Sequence, residues 1–346
     1  MGEWGLEEQF LQLVQILEQM QRQVIELEKS NAVLVNSNNQ LIDWVRMVEK
    51  DVLLLQENMQ YEVLDPRITK QGVWHPNIVP QEETLSLLIN ERKSICRFGD
   101  GEFATIAGKV RHKFQSDVDP ELGKRLQEVL NSDNENLLVA IADNYGSLAK
   151  YTSNAQREIR YYMTQEVRAE HEGLLNLNRE YHDAYISRPY AMYRDNNTNA
   201  PRERFEKLKQ IWEGKHCIFV EGEKTRMGVG NDLFANAASI QRILGPAENA
   251  FRHYDEILTE CKKMPKDSLF ILALGPTATV LAYDLCEAGY QALDLGHIDL
   301  EYEWFLQGEG GRTPVPTKYN NEFEDGDKVD EIHDEWYEKQ IIARLC

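Results

Sequence analysis

The sequence predicts an α/β fold with a mainly parallel sheet and flanking helices, preceded by an N-terminal α-helical coiled coil, and three observations predict it. An apolar heptad runs unbroken through the first sixty positions. Beyond residue 80, short apolar runs alternate with longer segments of helical period. The loops directly after those runs are rich in glycine and carboxylates, and an open parallel sheet binds its ligands there.

With Phe10 at position a, the a series runs Phe10, Leu17, Val24, Asn31, Asn38, Val45, Val52 and Met59. The d series runs Leu13, Met20, Leu27, Leu34, Leu41, Val48 and Leu55. Some 50 residues of such a helix make a rod of about 75 Å. A buried Asn at a is best satisfied by its symmetry mate, and Val over Leu favours two parallel strands, so a homo-oligomer is expected, a parallel dimer first. Val14, Val35 and Ile42 at e, with Ile16 and Trp44 at g, widen the stripe and leave a trimer or larger bundle open; a helix folded back on its own catalytic domain is the other reading. The pattern dissolves near residue 60, and Pro66, Pro76 and Pro80 block helix continuation. Residues 1–60 are therefore read as coiled coil, 61–84 as a linker strap and 85–346 as the catalytic domain.

In the second part, strands are expected at Ser94–Phe98, Leu137–Ala142, His216–Val220, Ser268–Leu274 and Tyr290–Leu295. Helices are expected at Asp119–Leu130, Gln156–Asn176, Arg202–Trp212, Tyr254–Lys263 and Thr277–Ala288.

Composition narrows the partners. The 346 residues are 42% hydrophobic and 28% charged, with a formal net charge of −20. Such acidity argues against a nucleic-acid or anionic-membrane surface as the main partner, so an anionic substrate needs local cations or a metal. Five scattered cysteines, with no CxxC pair, favour neither a disulfide framework nor a zinc site. An acidic N-terminus and no membrane-spanning apolar run place the chain in the cytoplasm.

Four strand-end loops carry chemistry. In Arg97-Phe98-Gly99-Asp100-Gly101-Glu102, carboxylates at i and i+2 share a side if the backbone is extended or turning, and could hold Mg²⁺ or Mn²⁺ against a diphosphate. An ordinary strand-to-helix turn is the plain alternative. In the loop from Glu221 to Phe234, Lys224 and Arg226 supply cations and Gly228 and Gly230 open the backbone. Asn231 or Asp232 could cap a phosphate-binding helix there, with Glu223 beside it. Gly275, Pro276 and Thr277 close one strand and open an apolar helix, a seat for phosphate or ribose. In the stretch from Asp294 to Phe305, at least one pair among Asp299, Glu301 and Glu303 shares a face, which raises a carboxylate pKa and makes Asp299 or Glu301 a candidate general base. Tyr302, Trp304 and Phe305 suit a sugar-stacking wall, and Lys318, Tyr319 and Asn320 stand where a segment could close over the site. The acidic stretch from Glu322 to Glu335 reads as a solvated terminal helix.

Taken in order, RFGDGE, VEGEKTRMGVGNDLF, LALGPTATVLAYDL and DLGHIDLEYEWF resemble the GT-D family of bacterial glycosyltransferases over residues 85–322. The resemblance implies a Rossmann-like α/β enzyme that moves a hexose from a UDP-sugar to a glycan or glycoprotein acceptor with divalent metal dependence. It also implies that the Asp-x-Glu motif of the family falls on Asp100 and Glu102. Two other readings stay open: a non-catalytic nucleotide-sugar-binding or scaffold subunit, and a phosphate-ester hydrolase using the same carboxylates.

Overall fold

The computed structural model describes residues 4–62 and 75–345, with side chains from residue 10 onward. Most of the expected linker strap, residues 63–74, lies outside the described residues. The chain divides into two compact units, residues 1–59 and 60–346.

The first unit is one helix, α1 (Trp4–Asn58), of 55 residues. Its a and d side chains face solvent along its length: Leu13, Leu17, Val24, Leu27, Leu34, Leu41, Val45, Val52 and Leu55 are all exposed. So long an apolar stripe on one helix calls for a partner surface. No described helix is long and apolar enough to cross a membrane.

The second unit is built on a nine-stranded sheet in which every ladder is parallel. Across it run β1 (Asn77–Val79), β4 (Glu180–Asp183), β3 (Leu137–Ile141), β2 (Ser94–Phe98), β8 (Gln291–Asp294), β7 (Leu269–Ala273), β5 (His216–Gly222), β6 (Ser239–Gly245) and β9 (Ile341–Arg344). Strands β3, β7 and β8 are buried at every residue, which is why they read as continuous apolar runs. The chain leaves β2 for β3 on one side and reaches β8 from β7 on the other. A crevice therefore opens between β2 and β8 at the carboxyl ends of the strands.

Helices α2 (Gln81–Asn90), α7 (Ala200–Lys209) and α10 (Ile298–Gln307) cover one face, with Leu88, Phe205, Trp212 and Trp304 in its core. On the other face, α4 (Pro120–Leu130), α8 (Tyr254–Cys261) and α9 (Pro276–Glu287) enclose Leu122, Ile257 and Leu281. The core halves alternate along each strand, Ile95 facing one and Cys96 the other.

The structure differs from the sequence reading in three places. The helix expected over 156–176 is two, α5 (Ser153–Tyr162) and α6 (Gln165–Leu174), because Thr164 caps the second by accepting from the Val167 N–H. Strands β1, β4, β6 and β9 were not anticipated. The Glu180-Tyr181-His182-Asp183 strand is polar, yet its polar groups find partners on the neighbouring helix α2: His182 Nδ1 lies 2.9 Å from the Thr84 hydroxyl, and Asp183 accepts from Gln81. Finally, residues 322–334 form no helix. Only Glu335–Gln340 does (α11), capped by Asp334, and the chain then adds β9 to the sheet edge. Gly326 fixes the irregular path, since its N–H and carbonyl lie among Asn320 and Phe323 backbone atoms where any Cβ would collide.

Candidate active site

A cavity of about 560 Å³ occupies the crevice. Segments following β2, β3, β4, β5, β7 and β8 all contribute to its wall, from Gly99, Asn144, Tyr185, Thr225, Gly275 and His297 respectively. The topology alone brings these loops together.

The loop after β2 runs straight into helix α3 (Asp100–Ile106), so Asp100 and Glu102 sit on helical backbone instead of an extended turn. At this spacing a helix turns side chains roughly 200° apart, and the two carboxylates take different partners. Asp100 meets Arg111 Nε at 2.5 Å and His112 Nε2 at 3.0 Å. Burial works against its ionised form, but His112 and then Arg111 outweigh this and hold it well below the usual carboxylate range. Glu102 bends back to accept from the Gly99 N–H at 2.8 Å, the one half of a capping box that a glycine N-cap allows, and burial lifts its carboxyl to about 7. Both line the cavity.

Among the described residues no group of three or more His, Cys, Asp or Glu could hold a metal, so there is no all-protein cage. Hard divalent cations commonly use one or two carboxylates and complete their shell with water and substrate phosphate. Asp100 and Glu102 each bring oxygen donors of that kind to the cavity wall, though from different sides of the first turn of α3, and Asp100 would have to leave Arg111 and His112 to serve.

Arg97 lines the cavity, but its guanidinium joins β2 to β8. Nη2 lies 2.6 Å from Asp294 Oδ1, Nε donates to the Asp294 carbonyl at 2.6 Å, and Nη1 donates to Ser187 Oγ at 2.6 Å. After β7, Gly275 takes φ 55°, and a Cβ there would come within 2.9 Å of Phe114 Cβ. Pro276 opens α9 at the cavity wall. Thr277 Oγ1 is buried and finds no partner among the described residues.

The glycine-rich loop after β5 corrects an expectation. It opens no helix, and Thr225 is its contribution to the cavity. Glu223, Gly230 and Asp232 are exposed, Asp232 taking a hydrogen bond from the Tyr302 hydroxyl. Arg226 points to the C-terminal stretch, donating to the carbonyls of Thr317 and Asp330. The loop does bind anions, but they are carboxylates of its own chain: the Gly228 N–H donates to Asp299, and Asn231 Nδ2 donates to both Asp299 and Glu303.

Asp299 and Glu301, the candidate bases, are held by contacts of the same kind. Asp299 lines the cavity, yet its second oxygen meets buried Lys318 at 2.7 Å. Glu301 is buried, its pKa raised by that burial, and Oε2 accepts from the N–H groups of Tyr190 and Ala191 at 2.9 Å. Both are positioning residues that fix α10 against its neighbours. Tyr302 and Trp304 are core side chains, not a sugar wall, because the helix turns them inward with Phe205 and Phe305. Phe114, Tyr161, Tyr162, Tyr185 and Tyr319 supply the aromatic lining instead, with Phe114 and Tyr319 in ring contact at 4.6 Å.

Sequence reasoning missed the cavity's other basic groups, Arg111, His112, Arg188 and Arg312, and the carboxylates that face them, Glu158 and Glu322. The Arg111-His112 pair, eleven and twelve residues after Asp100, was a legible local signal. The others reach the cavity only through the fold.

The family model described as "Glycosyltransferase GT-D fold" matches residues 95–323. A protein of Streptococcus gordonii described as a probable glycosyl transferase is 36% identical over 293 residues, 82% of this chain and 42% of its own length. Glycosyltransferase GlyD of Streptococcus pneumoniae serotype 4 is 37% identical over 288 residues, again 82% of this chain but 34% of its own. The chain thus spans about two fifths and one third of the length of these relatives. A solved structure described as a new glycosyltransferase from Streptococcus sanguinis superposes with a TM-score of 0.73 at 35% identity, covering 79% of this chain and all of that one. Another, described as having a distinct glycosyltransferase fold, gives 0.73 at 36% identity over 78% of this chain and 96% of its own. An all-parallel sheet with its cavity at the strand ends, matched at this identity across the globular unit, shows that the chain belongs to the GT-D family of glycosyltransferases.

Proposed function

We propose that the globular unit transfers a hexose from a UDP-sugar to a glycan or glycoprotein acceptor in the cytoplasm, assisted by Mn²⁺ or Mg²⁺, and that α1 joins two chains into a parallel dimer. The observation that carries the transferase reading is the single cavity holding Asp100, Glu102, the Gly275-Pro276 turn and four arginines in a protein of net charge −20.

Departure of UDP develops negative charge on its diphosphate, and stabilising that charge in a water-poor site is the largest contribution such a protein makes. Arg111, Arg188 and Arg312 offer cationic donors, and Asp100 and Glu102 would hold the divalent cation. Such a cation, when bound, supplies further positive charge to the diphosphate oxygens. The tight Gly275 turn brings backbone to the cavity wall where ribose or phosphate can approach it. The tyrosine lining offers flat surfaces for sugar or base.

The test is thermal unfolding of the full chain with a panel of nucleotide sugars, with and without Mn²⁺, followed by assay of UDP release. One UDP-sugar at a hundred times its Kd should raise the midpoint by roughly 5 °C or more, and further with Mn²⁺. Equal shifts across nucleobases would count against the reading. Binding without UDP release would indicate a scaffold subunit, and turnover of phosphate esters a hydrolase.

The dimer has its own expected outcome. The full chain should sediment at twice its single-chain mass, and Leu34→Glu with Leu41→Glu should halve that by placing charges in the seam. A monomeric parent, or a variant of unchanged mass, would refute the dimer.

A further inference from the structure

Two arginines of the cavity converge on a carboxylate that belongs to the chain itself. Glu322 Oε1 accepts from Arg188 Nη2 at 2.8 Å and lies 3.4 Å from His297 Nε2. Its other oxygen lies 2.9 Å from Arg312 Nη1. All four line the cavity, and the Glu322 side chain is 15% exposed. Arg188 follows β4 and His297 follows β8, while Arg312 and Glu322 come from the irregular stretch after α10. Three separate segments thus place donors around one anion.

Burial opposes the charge on Glu322, but the guanidinium groups of Arg188 and then Arg312 overcome it and hold its carboxyl far below the usual range. Burial beside Arg188 drives His297 down to about 4, so near neutrality it is an uncharged imidazole. Two guanidinium groups around a set of oxygens is an arrangement suited to phosphate, which brings more charge and more acceptor atoms than a carboxylate. The stretch carrying Glu322 is held independently of this contact. Lys318 is buried against Asp299 and Glu303, the Tyr319 N–H donates to the Lys224 carbonyl, and the Asn320 N–H donates to Gly326. Glu322 can therefore swing away without unfastening its neighbours.

We propose that Arg188, Arg312 and His297 form a diphosphate-binding site and that Glu322 is a built-in competitor for it, displaced when a diphosphate arrives. The nucleotide part of this idea rests on the transferase reading; the anion chemistry does not, since inorganic pyrophosphate carries neither base nor sugar.

The experiment is calorimetric titration of the full chain with inorganic pyrophosphate, UDP and a sugar monophosphate, for the parent, Glu322→Gln and Arg312→Gln. The glutamine at 322 keeps the shape and removes the competing charge, so pyrophosphate and UDP should bind about tenfold more tightly, and Arg312→Gln should weaken both about tenfold. Stronger binding of the monophosphate than of pyrophosphate would overturn the diphosphate assignment. If Glu322 merely fastens the stretch in place, Glu322→Gln leaves pyrophosphate affinity unchanged or lower, and the proposal fails. Should that variant not fold, undiminished pyrophosphate binding by Arg312→Gln is enough to sink it. Expected pyrophosphate behaviour with no turnover of any nucleotide sugar would leave the site standing and remove the transferase. Turnover of a UDP-sugar with pyrophosphate affinity indifferent to both substitutions would do the reverse.

Discussion

Replacing Asp100 with Asn and Glu102 with Gln together is expected to lower sugar transfer by at least about a hundredfold while leaving the protein folded. Asn keeps the outline of Asp100 but gives up the charge that meets Arg111 and His112. The ion pairs it breaks are partly open to solvent, with Asp100 and Arg111 side chains 35% and 43% exposed, so the cost in stability should be about 1 kcal/mol or less. Gln at 102 can still accept from the Gly99 N–H, because a capping box works with either side chain. A loss of activity therefore reports on ligand chemistry and not on unfolding. The measurement is UDP release beside a thermal melt of the same sample. Full activity in the double variant would remove both residues from the mechanism.

The largest expected effect on stability lies away from the cavity. Arg242 on β6 and Glu221 on β5 are 3% and 0% exposed as side chains and form an ion pair. Arg242 also donates to Gln340 and to the Met227 carbonyl, and its guanidinium lies over the rings of Phe219 and Tyr337. Arg242→Met removes the cation and leaves Glu221 buried beside a hydrophobe, a cost of about 3–5 kcal/mol. In a unit of this size the melting midpoint should fall by roughly 10 °C. Glu221→Leu combined with Arg242→Met removes both charges and should recover much of the loss, since an uncompensated charge costs more than the pair contributes. A midpoint for Arg242→Met within 2 °C of the parent would show that Glu221 is satisfied some other way, for instance through the Met227 N–H it already holds at about 2.7 Å.

How much of this was legible depends on whether the signal was local. Strands β3, β7 and β8 are buried on both faces and had to be apolar, so their runs could be read directly. Strand β4 is Glu-Tyr-His-Asp and could not, because Thr84 and Gln81, about a hundred positions away, satisfy its polar groups. In the site, Asp100, Glu102, Gly275 and Pro276 stand out in the sequence from their place after strands, and all four line the cavity. The partners of Asp299 and Glu301 could not be read from the sequence. Buried Lys318 and the Gly228 N–H hold Asp299, and the N–H groups of Tyr190 and Ala191 hold one oxygen of Glu301, all from positions remote in the chain. Arg188, Arg312 and Glu322 carry no motif, and more than a hundred residues separate the first from the others. Only the three-dimensional arrangement makes them one group.

The bonds between Arg97 and Asp294 span 197 positions in the chain and hold the seam where β2 and β8 share one register pair, Ile95 with Leu293. Pairings of such long separation are made late and slowly, because the intervening chain must be ordered first. The cavity straddles this seam, so it comes into existence only when both halves of the sheet have met. A nucleotide bridging the two sides would then act as a clasp on finished molecules, slowing their opening and shielding them from proteases that attack partly separated chains.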